Sequence, residues 1–273
     1  MFPKANFHTH STYCDGKDPP EEMVKEAIAQ GMVSLGFSGH SFTPCDPSYC
    51  MLPHTTQRYR QEILQLKEKY RGQIELYLGM EMDCYADQDV YHDKYDYLIG
   101  SVHYVFKERS CLAIDHSRDI QVNAVEKLYG GDWMGLVRDY FDTVVRMAHR
   151  VRPDIVGHFD VITKFDQDDC LFDTHGPVYR RLATDAIDAI LPVCRVFELN
   201  TGAIARGKRR DPYFGVELLR YLREKGGEIM LNSDCHDRNY LLCAFEEAAD
   251  MARAAGYDHS KIILGGKMTD AAL

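Results

Sequence analysis

The sequence predicts an α/β fold whose parallel strands form a closed or nearly closed barrel. Short runs of apolar, β-branched and aromatic residues alternate with amphipathic helical segments almost from end to end, which is typical of parallel α/β folds. Seven such runs fit within the 273 residues, and we find no repeat, low-complexity tract or linker that would divide the chain. One barrel-sized domain over residues 1–273 is therefore expected, with function gathered at the C-terminal ends of the strands.

The predicted elements follow one another in order. Seven strands are predicted at 5–9, 33–39, 73–82, 95–104, 154–159, 195–201 and 227–233. Six helices are predicted at 19–31, 55–72, 130–151, 179–191, 213–226 and 241–256. The first helix segment opens with prolines and acidic residues and closes at Gly31, as helix ends prefer. The second places Tyr59, Ile63 and Leu66 on one face.

Composition excludes several classes of protein. No run approaches the ~18 to 20 apolar residues of a membrane helix, and the N-terminus lacks the regions of a signal peptide, so we expect a soluble, cytoplasmic protein without a membrane partner. The net charge of −10 argues against a nucleic-acid partner, which would require a basic face. The nine cysteines include no CxxC pair and are expected to be mostly reduced thiols without a catalytic role.

Residue types that bind metals recur at the predicted strand ends. His8 and His10 end the first strand and point to one face, because side chains alternate along a strand. The further candidates, including one in the loop after the first strand, are Asp15, His40, Glu81, His103, His158, Asp234 and His236. Imidazole and carboxylate together suit Zn, Mn or Fe, and nine such groups are too many for one ion. The pattern therefore predicts two or three metal ions with a shared ligand.

Each histidine considered alone would more often be a buried core residue than a ligand. The clustering of six of the twelve histidines at strand ends is what favours a metal centre. The other six are assigned mostly to the solvated surface, and they are His54, His92, His116, His149, His175 and His259. Among them we single out only His116, in the loop segment AIDHSRD, as a further candidate. Cys235 should face away from Asp234 and His236 and pack as a small apolar group.

Six motifs in order resemble the PHP (polymerase and histidinol phosphatase) family. They are FHTHSTYCDG, GFSGHS, GMEMD, GSVHY, GHFD and NSDCH. The resemblance implies a distorted (β/α)7 TIM-like barrel with a trinuclear divalent metal centre. By this likeness the ligands divide into a first group of His8, His10, Glu81 and Asp234, a second of Glu81, His103 and His158, and a third of Asp15, His40 and His236. Glu81 would then bridge two ions.

Longer stretches resemble the monofunctional histidinol-phosphate phosphatases of that family. They are GFSGHSFTP, YRQEILQLKEKY, YDYLIGSVHYV, DHS, GGDWMGLVRDYFDTV and ELNTG. The resemblance implies hydrolysis of L-histidinol phosphate to L-histidinol and phosphate in histidine biosynthesis. The segment AIARGKRRDPYF after ELNTG departs from an unambiguous match. Arg206 is the preferred candidate for the phosphate-binding arginine, with Arg209 as the competitor.

The proposed reaction uses a hydroxide activated by metal ions, which also neutralise the phosphoryl oxygens. Glu81, Asp234 and His236 are the ligands assigned to the catalytic step. Arg206 could clamp phosphoryl oxygens, and Lys164 could add a point charge or lie on the solvated surface. Asp160 could protonate the leaving alkoxide, or it could only orient His158 through a hydrogen bond.

Two other functions remain compatible with the sequence. The same barrel could hydrolyse another small phosphate ester, such as a nucleotide or a cyclic phosphodiester. It could also be a metal-stabilised interaction domain without turnover, although every expected ligand position holds a competent side chain. The sequence alone makes no prediction about the oligomeric state.

Overall fold

Seven parallel strands form the central sheet of the computed structural model, which describes residues 3–86, 95–167 and 170–273. Neighbours in the sheet follow the order β1-β2-β3-β4-β7-β8-β9, and every pairing between them is parallel. These strands are β1 (Ala5–Asn6), β2 (Ser34–Phe37), β3 (Glu75–Asp83), β4 (Tyr97–Ser101), β7 (Ile155–Val156), β8 (Val196–Asn200) and β9 (Glu228–Asn232). The predicted order of strands is confirmed.

Helices connect the strands on the outside of the sheet, and two antiparallel hairpins are added to this framework. The helices are α1 (Pro20–Ala29), α2 (Pro53–Lys69), α3 (Arg118–Tyr129), α4 (Trp133–Val151), α5 (Pro177–Ile190), α6 (Gly202–Ala205), α7 (Val216–Glu224) and α8 (Phe245–Ala254). The hairpins consist of β5 (Tyr104–Lys107) with β6 (Ser110–Ala113) and β10 (His259–Leu264) with β11 (Lys267–Ala272). Within the described ranges, no helix has the length and apolar character needed to cross a membrane.

The sheet curls until its first and last strands meet. Just beyond β1 and β9, Thr9 and Cys235 form a parallel bridge. The amide of His10 donates to the Cys235 carbonyl at 2.8 Å, and the Cys235 amide donates to the His8 carbonyl at 2.9 Å. Cys235 is 1% exposed, which confirms its expected packing. The result is a nearly closed barrel of seven parallel strands, as the sequence predicted.

Apolar side chains fill the barrel interior at the end where the strands begin. Tyr97 occupies much of this space and donates its hydroxyl to the Phe7 carbonyl at 2.5 Å. Gly36 and Gly79 make room for it, since a Cβ at either position would lie 2.3 Å from a Tyr97 atom. The C-terminal hairpin adds Ile262, Ile263 and Ala271 to the same cluster. One end of the barrel is therefore plugged, and the other is left for polar groups.

The structure corrects several predicted boundaries. The predicted strand 95–104 is two elements, because β4 ends at Ser101 and Tyr104 begins the first hairpin. Helix α3 and both hairpins were missed. The second hairpin turns at Gly265 and Gly266, both with positive φ, and such a glycine pair between apolar runs is a turn signal that the sequence does contain. Helix α4 starts at Trp133 because the Asp132 side chain caps it.

One disulfide was not anticipated. Cys45, in the loop between β2 and α2, is bonded to Cys111 on β6, at a sequence separation of 66. The other seven cysteines lie outside this bond. The bond ties a loop at the open end of the barrel to the first hairpin.

We expect Cys45→Ser to lower the free energy of unfolding under oxidising conditions by about 4 kcal/mol, because the cross-link restricts a long loop in the unfolded chain. Guanidinium denaturation of the wild type and the variant, each with and without a reductant, measures the difference. Cys243→Ser is the matched control, since Cys243 is not disulfide-bonded. Equal stability of the wild type and Cys45→Ser without reductant would contradict the pairing.

Candidate metal centre

All nine candidate metal ligands lie together at the open end of the barrel. They reach it from the ends of successive strands, as parallel strands require, since their carboxyl ends share one rim. Most of them are buried, and Asp15 is the most exposed, with a side chain 34% exposed. His10 illustrates the density of the cluster, because its ring stacks on His236 at 4.1 Å and lies 4.2 Å from the ring of His40.

Glu81 is the centre of the cluster. Its Oε2 atom lies 2.8 Å from His40 Nδ1 and 3.2 Å from His8 Nε2. Its Oε1 atom lies 3.0 Å from His158 Nε2 and 3.3 Å from His103 Nε2. The position of Glu81 near the end of β3, where a parallel bridge pairs it with His40, sets this geometry. One carboxylate therefore faces imidazoles from four other strand ends.

The first and last strands supply the next part of the cluster. Asp234 Oδ1 lies 3.2 Å from His10 Nε2 and 3.8 Å from His8 Nε2. The backbone of Asp234 has φ 46°, in the left-handed region that aspartate tolerates better than most residues. The chain turns sharply there as it leaves β9.

Asp15 completes the cluster from the loop after β1. Its Oδ2 atom lies 3.2 Å from His236 Nε2, and its Oδ1 atom lies 3.5 Å from His40 Nε2. Potential ligand atoms of Asp15, His40, His236 and His10 lie within 4.8 Å of one another. The geometry therefore brings together the three residues of the third implied ligand group and adds His10 to their neighbourhood.

Two carboxylates that sequence reasoning missed hold the histidines in place. Glu198 on β8 is 1% exposed, and its Oε1 atom lies 2.6 Å from His8 Nδ1. Its Oε2 atom accepts from the His158 amide at 2.8 Å. Asp83 accepts from the amide of His103 at 3.2 Å and lies 3.3 Å from its Nδ1. An acid inside an otherwise apolar predicted strand was the available signal for Glu198.

Burial and neighbouring charges shift the pKa values of Glu81 and His8 in opposite directions. Burial raises the pKa of Glu81, but the surrounding imidazoles, His40 first, outweigh burial and hold the pKa well below its usual range. Burial lowers the pKa of His8, yet three nearby carboxylates, Glu198 first, hold it well above the usual histidine value. Burial and two neighbouring imidazoles lower the pKa of His10 to about 3. Ionised carboxylates and neutral imidazoles such as His10 are the forms that bind metals.

The residues present fit divalent metal ions. His8 Nε2, His10 Nε2 and Glu81 Oε2 are buried, and none of their close contacts within the described part of the chain has the geometry of a hydrogen bond. Such atoms are costly to bury without a partner. With its Nδ1 atom engaged by Glu198, His8 presents Nε2 to the interior of the cluster, which is the arrangement of a histidine ligand with an orienting carboxylate. A cation between these imidazoles and carboxylates would supply the missing partner.

The cluster forms the floor of a cavity of about 380 Å³. Arg206 and Lys164, two of the predicted substrate-binding residues, line it, and so does His116. Arg206 Nη2 donates to Asp234 at 2.7 Å, and its Nη1 atom lies 3.1 Å from His236 Nδ1. Lys164 is 9% exposed and donates to the carbonyl and the carboxylate of Asp115 at 2.7 and 3.1 Å. The surface position considered for Lys164 is therefore wrong.

Asp160 and Arg209 lie elsewhere, in a neighbouring cavity of about 260 Å³. The Asp160 carboxylate accepts from the Phe214 amide at 2.8 Å and from the Tyr179 hydroxyl at 3.4 Å, so its observed hydrogen bonds are not to His158. Arg209 donates to the carbonyl and hydroxyl of Thr163 at 2.8 and 2.9 Å. Neither residue lines the cavity above the cluster. His92 lies outside the described residues.

Comparisons with known proteins agree with this architecture. A probable histidinol-phosphatase of Schizosaccharomyces pombe is 29% identical over 251 residues, which are 84% of this chain and 79% of that protein. A probable histidinol-phosphatase of Deinococcus radiodurans is 27% identical over 262 residues, covering 91% of this chain and 92% of the relative.

A solved structure has the same fold. The histidinol phosphate phosphatase of Lactococcus lactis, crystallised with zinc, L-histidinol and phosphate, superposes with a TM-score of 0.73. It is 20% identical in sequence, and the match covers 97% of this chain and 98% of that chain. At this identity the likeness shows the fold, a distorted TIM-like barrel.

The family model described as the PHP domain matches residues 6–202. These residues include seven of the nine clustered ligands and the motifs from FHTHSTYCDG to ELNTG. Its match covers well over half of the chain. With the barrel and the ligand cluster at its open end, this shows that the chain belongs to the PHP domain family.

Proposed function

We propose that this protein is a metal-dependent phosphatase that hydrolyses L-histidinol phosphate to L-histidinol and inorganic phosphate. The observation that carries the proposal is the cluster of nine ligand residues, five of which line a cavity together with Arg206 and Lys164. This arrangement suits a phosphate monoester, whose negative charge must be neutralised for hydrolysis. The choice of L-histidinol as the alcohol rests on the relatives. They are named histidinol-phosphatases, and this chain aligns with them over most of their length.

The centre is proposed to hold three divalent ions, with Zn, Mn or Fe as the candidates. The first would be bound by His8, His10, Glu81 and Asp234, the second by Glu81, His103 and His158, and the third by Asp15, His40 and His236. The contacts of Glu81 with both His8 and His158 support its role as a bridge. Among these ligands, Glu81, Asp234 and His236 are assigned to the catalytic step.

Side chains of the cavity would position the ester. When bound, the ions would neutralise phosphoryl charge and lower the pKa of a water molecule to near neutrality. Arg206 presents a guanidinium to the cavity beside Asp234 and His236, where it could hold phosphoryl oxygens. Lys164, already held by Asp115, could contribute a further positive charge. Asp160 makes its hydrogen bonds in the neighbouring cavity, which removes the support for its role as the general acid.

The wider assignments follow from this activity. Residues 1–273 are proposed to form one phosphoesterase domain that acts in histidine biosynthesis in the cytoplasm. Its partner would be a small phosphorylated substrate. Nucleic acid is not expected to bind, because the net charge is −10.

The rate of phosphate release from L-histidinol phosphate tests the proposal. It is compared with the rates for glycerol phosphate, a nucleoside monophosphate and a cyclic dinucleotide, using protein of measured metal content. We expect kcat/KM for L-histidinol phosphate to exceed the others by about 100-fold, because recognition of polar groups discriminates strongly. If L-histidinol phosphate is cleaved no faster than the generic esters, the assignment fails. The metal content of the active protein identifies the ion in the same experiment.

Replacement of Glu81 should separate a catalytic centre from a structural one. We expect Glu81→Ala to reduce kcat by about 1000-fold or more, because the group that holds the ligand cluster together is lost. Metal content by elemental analysis should fall with it. A result in which the melting temperature collapses, while the remaining folded protein keeps its turnover, would instead identify a purely structural metal site.

The two candidate arginines can be compared directly. Arg206→Ala should raise KM and weaken inhibition by inorganic phosphate, each by about 10- to 100-fold, because a charged hydrogen-bond donor is removed from the cavity. Arg209→Ala is the matched control and should change both constants little, since Arg209 lines the neighbouring cavity. The reverse order of effects would exchange their roles.

A further inference from the structure

The cavity over the metal centre has a second wall that none of the assignments above uses. Asp46 and Tyr49, from the loop between β2 and α2, and Tyr104, at the start of β5, form this surface, which we call the mouth wall. The ring of Tyr49 packs edge-on against His40 at 4.7 Å and His103 at 6.0 Å. Arg206 contacts a different part of the cluster, Asp234 and His236. The mouth wall and the proposed phosphate-binding arginine therefore lie against different ligands.

Asp46 gives the mouth wall a negative charge. The Ser48 amide donates to Asp46 Oδ1 at 2.9 Å, and the Ser48 hydrogen bonds hold the pKa of this carboxyl below its usual range. Among the residues that the structure describes, no lysine or arginine lies within 4.0 Å of the Asp46 carboxylate. Asp115, the other non-ligand carboxylate of the cavity, is in contrast paired with Lys164 at 3.1 Å. The Tyr104 hydroxyl and His116, which also lines the cavity, lower the pKa of Asp46 further. Asp46 thus has no lysine or arginine partner in the described part of the chain, which leaves it available to a cationic group of a ligand.

Two aromatic rings stand beside that charge. Tyr49 and Tyr104 stack with their centroids 6.3 Å apart and an angle of 25° between their planes. Faces of tyrosine rings attract cations and flat aromatic groups. The disulfide from Cys45 to Cys111 joins the loop that carries Asp46 to the hairpin that begins at Tyr104. Where this bond is formed, it restricts the relative movement of the two segments before a ligand arrives, which lowers the cost of binding.

We propose that the mouth wall is the specificity subsite for the alcohol part of the substrate, with Asp46 binding its ammonium group and Tyr49 and Tyr104 binding its planar ring. This inference rests on the proposed function and names the substrate class, which is phosphate monoesters of cationic, aromatic amino alcohols. The ester is oriented by opposite charges at its two ends. Its anionic phosphate faces the metal centre and Arg206, and its cationic end faces Asp46.

Asp46→Asn tests the charge while preserving the shape of the side chain. The ratio of kcat/KM for L-histidinol phosphate to that for glycerol phosphate should fall by about 10- to 100-fold, mainly through KM, because a charged hydrogen bond is lost. Asp142→Asn is the control for net charge. Asp142 is exposed on α4, away from the cavity, and its replacement should leave the ratio unchanged.

Direct binding gives a second measurement that does not depend on turnover. Calorimetry of L-histidinol with metal-loaded protein should show a Kd about tenfold or more higher in Asp46→Asn than in the wild type. Tyr104→Phe, which removes the hydroxyl and keeps the ring, should weaken binding less than Tyr104→Ala. An equal loss for both esters in Asp46→Asn, or an unchanged ratio with unchanged Kd, would overturn the subsite.

Failure of the proposed function would give a different pattern. A wild type that cleaves L-histidinol phosphate no faster than glycerol phosphate removes the proposed substrate. The subsite is then judged on ethanolamine phosphate, which is cationic without a ring. If Asp46→Asn lowers the ratio of ethanolamine phosphate to glycerol phosphate, Asp46 binds cations as proposed, and if that ratio is unchanged, the subsite is wrong as well.

Discussion

The parallel bridge between Thr9 and Cys235 is the contact on which both the barrel and the site depend. It joins the first strand to the last, so it closes the sheet. It also aligns the residues on either side of it, which are His8 and His10 on one strand end and Asp234 and His236 on the other. Ligands more than two hundred positions apart in sequence are brought to within 3.2 Å by backbone hydrogen bonds. Tyr97 and the C-terminal hairpin fill the opposite end of the barrel.

The ligand cluster is a charged group inside a buried environment, in which carboxylates and imidazoles face one another. Glu81 is 1% exposed and faces four imidazoles, while Glu198 orients His8 from behind. Burial alone would favour neutral forms of both carboxylates, yet the imidazoles hold their pKa values below the usual range. The same arrangement is prepared for cations, because ions can replace the protons that the histidines would otherwise share.

The cavity above the cluster combines opposite charges on different sides. Arg206 and the proposed metal ions suit an anionic phosphate, and Asp46 on the mouth wall suits a cation. The net charge of −10 would repel an anionic ester, so the proposed binding depends on positive charge within the cavity and not on the electrostatic field of the whole protein. The disulfide between Cys45 and Cys111 links the chain segments of the mouth wall. The same bond therefore contributes to the stability of the open end of the barrel and to the proposed selectivity of the mouth wall.

The barrel, its order of strands and the residue types at the strand ends could be predicted from the sequence alone. These features are local, since alternation places His8 and His10 on one face and parallel strands end at one rim. Which atoms come into contact depends on the three-dimensional fold. Glu198 and Asp83 were missed because their contacts with His8 and His103 depend on strand register. The placement of Arg206 at the cavity and of Asp160 and Arg209 beside a neighbouring one depends on how the loops after β7 and β8 turn. Those paths, and the pairing of Cys45 with Cys111 across 66 residues, are set by long-range packing that no local pattern encodes.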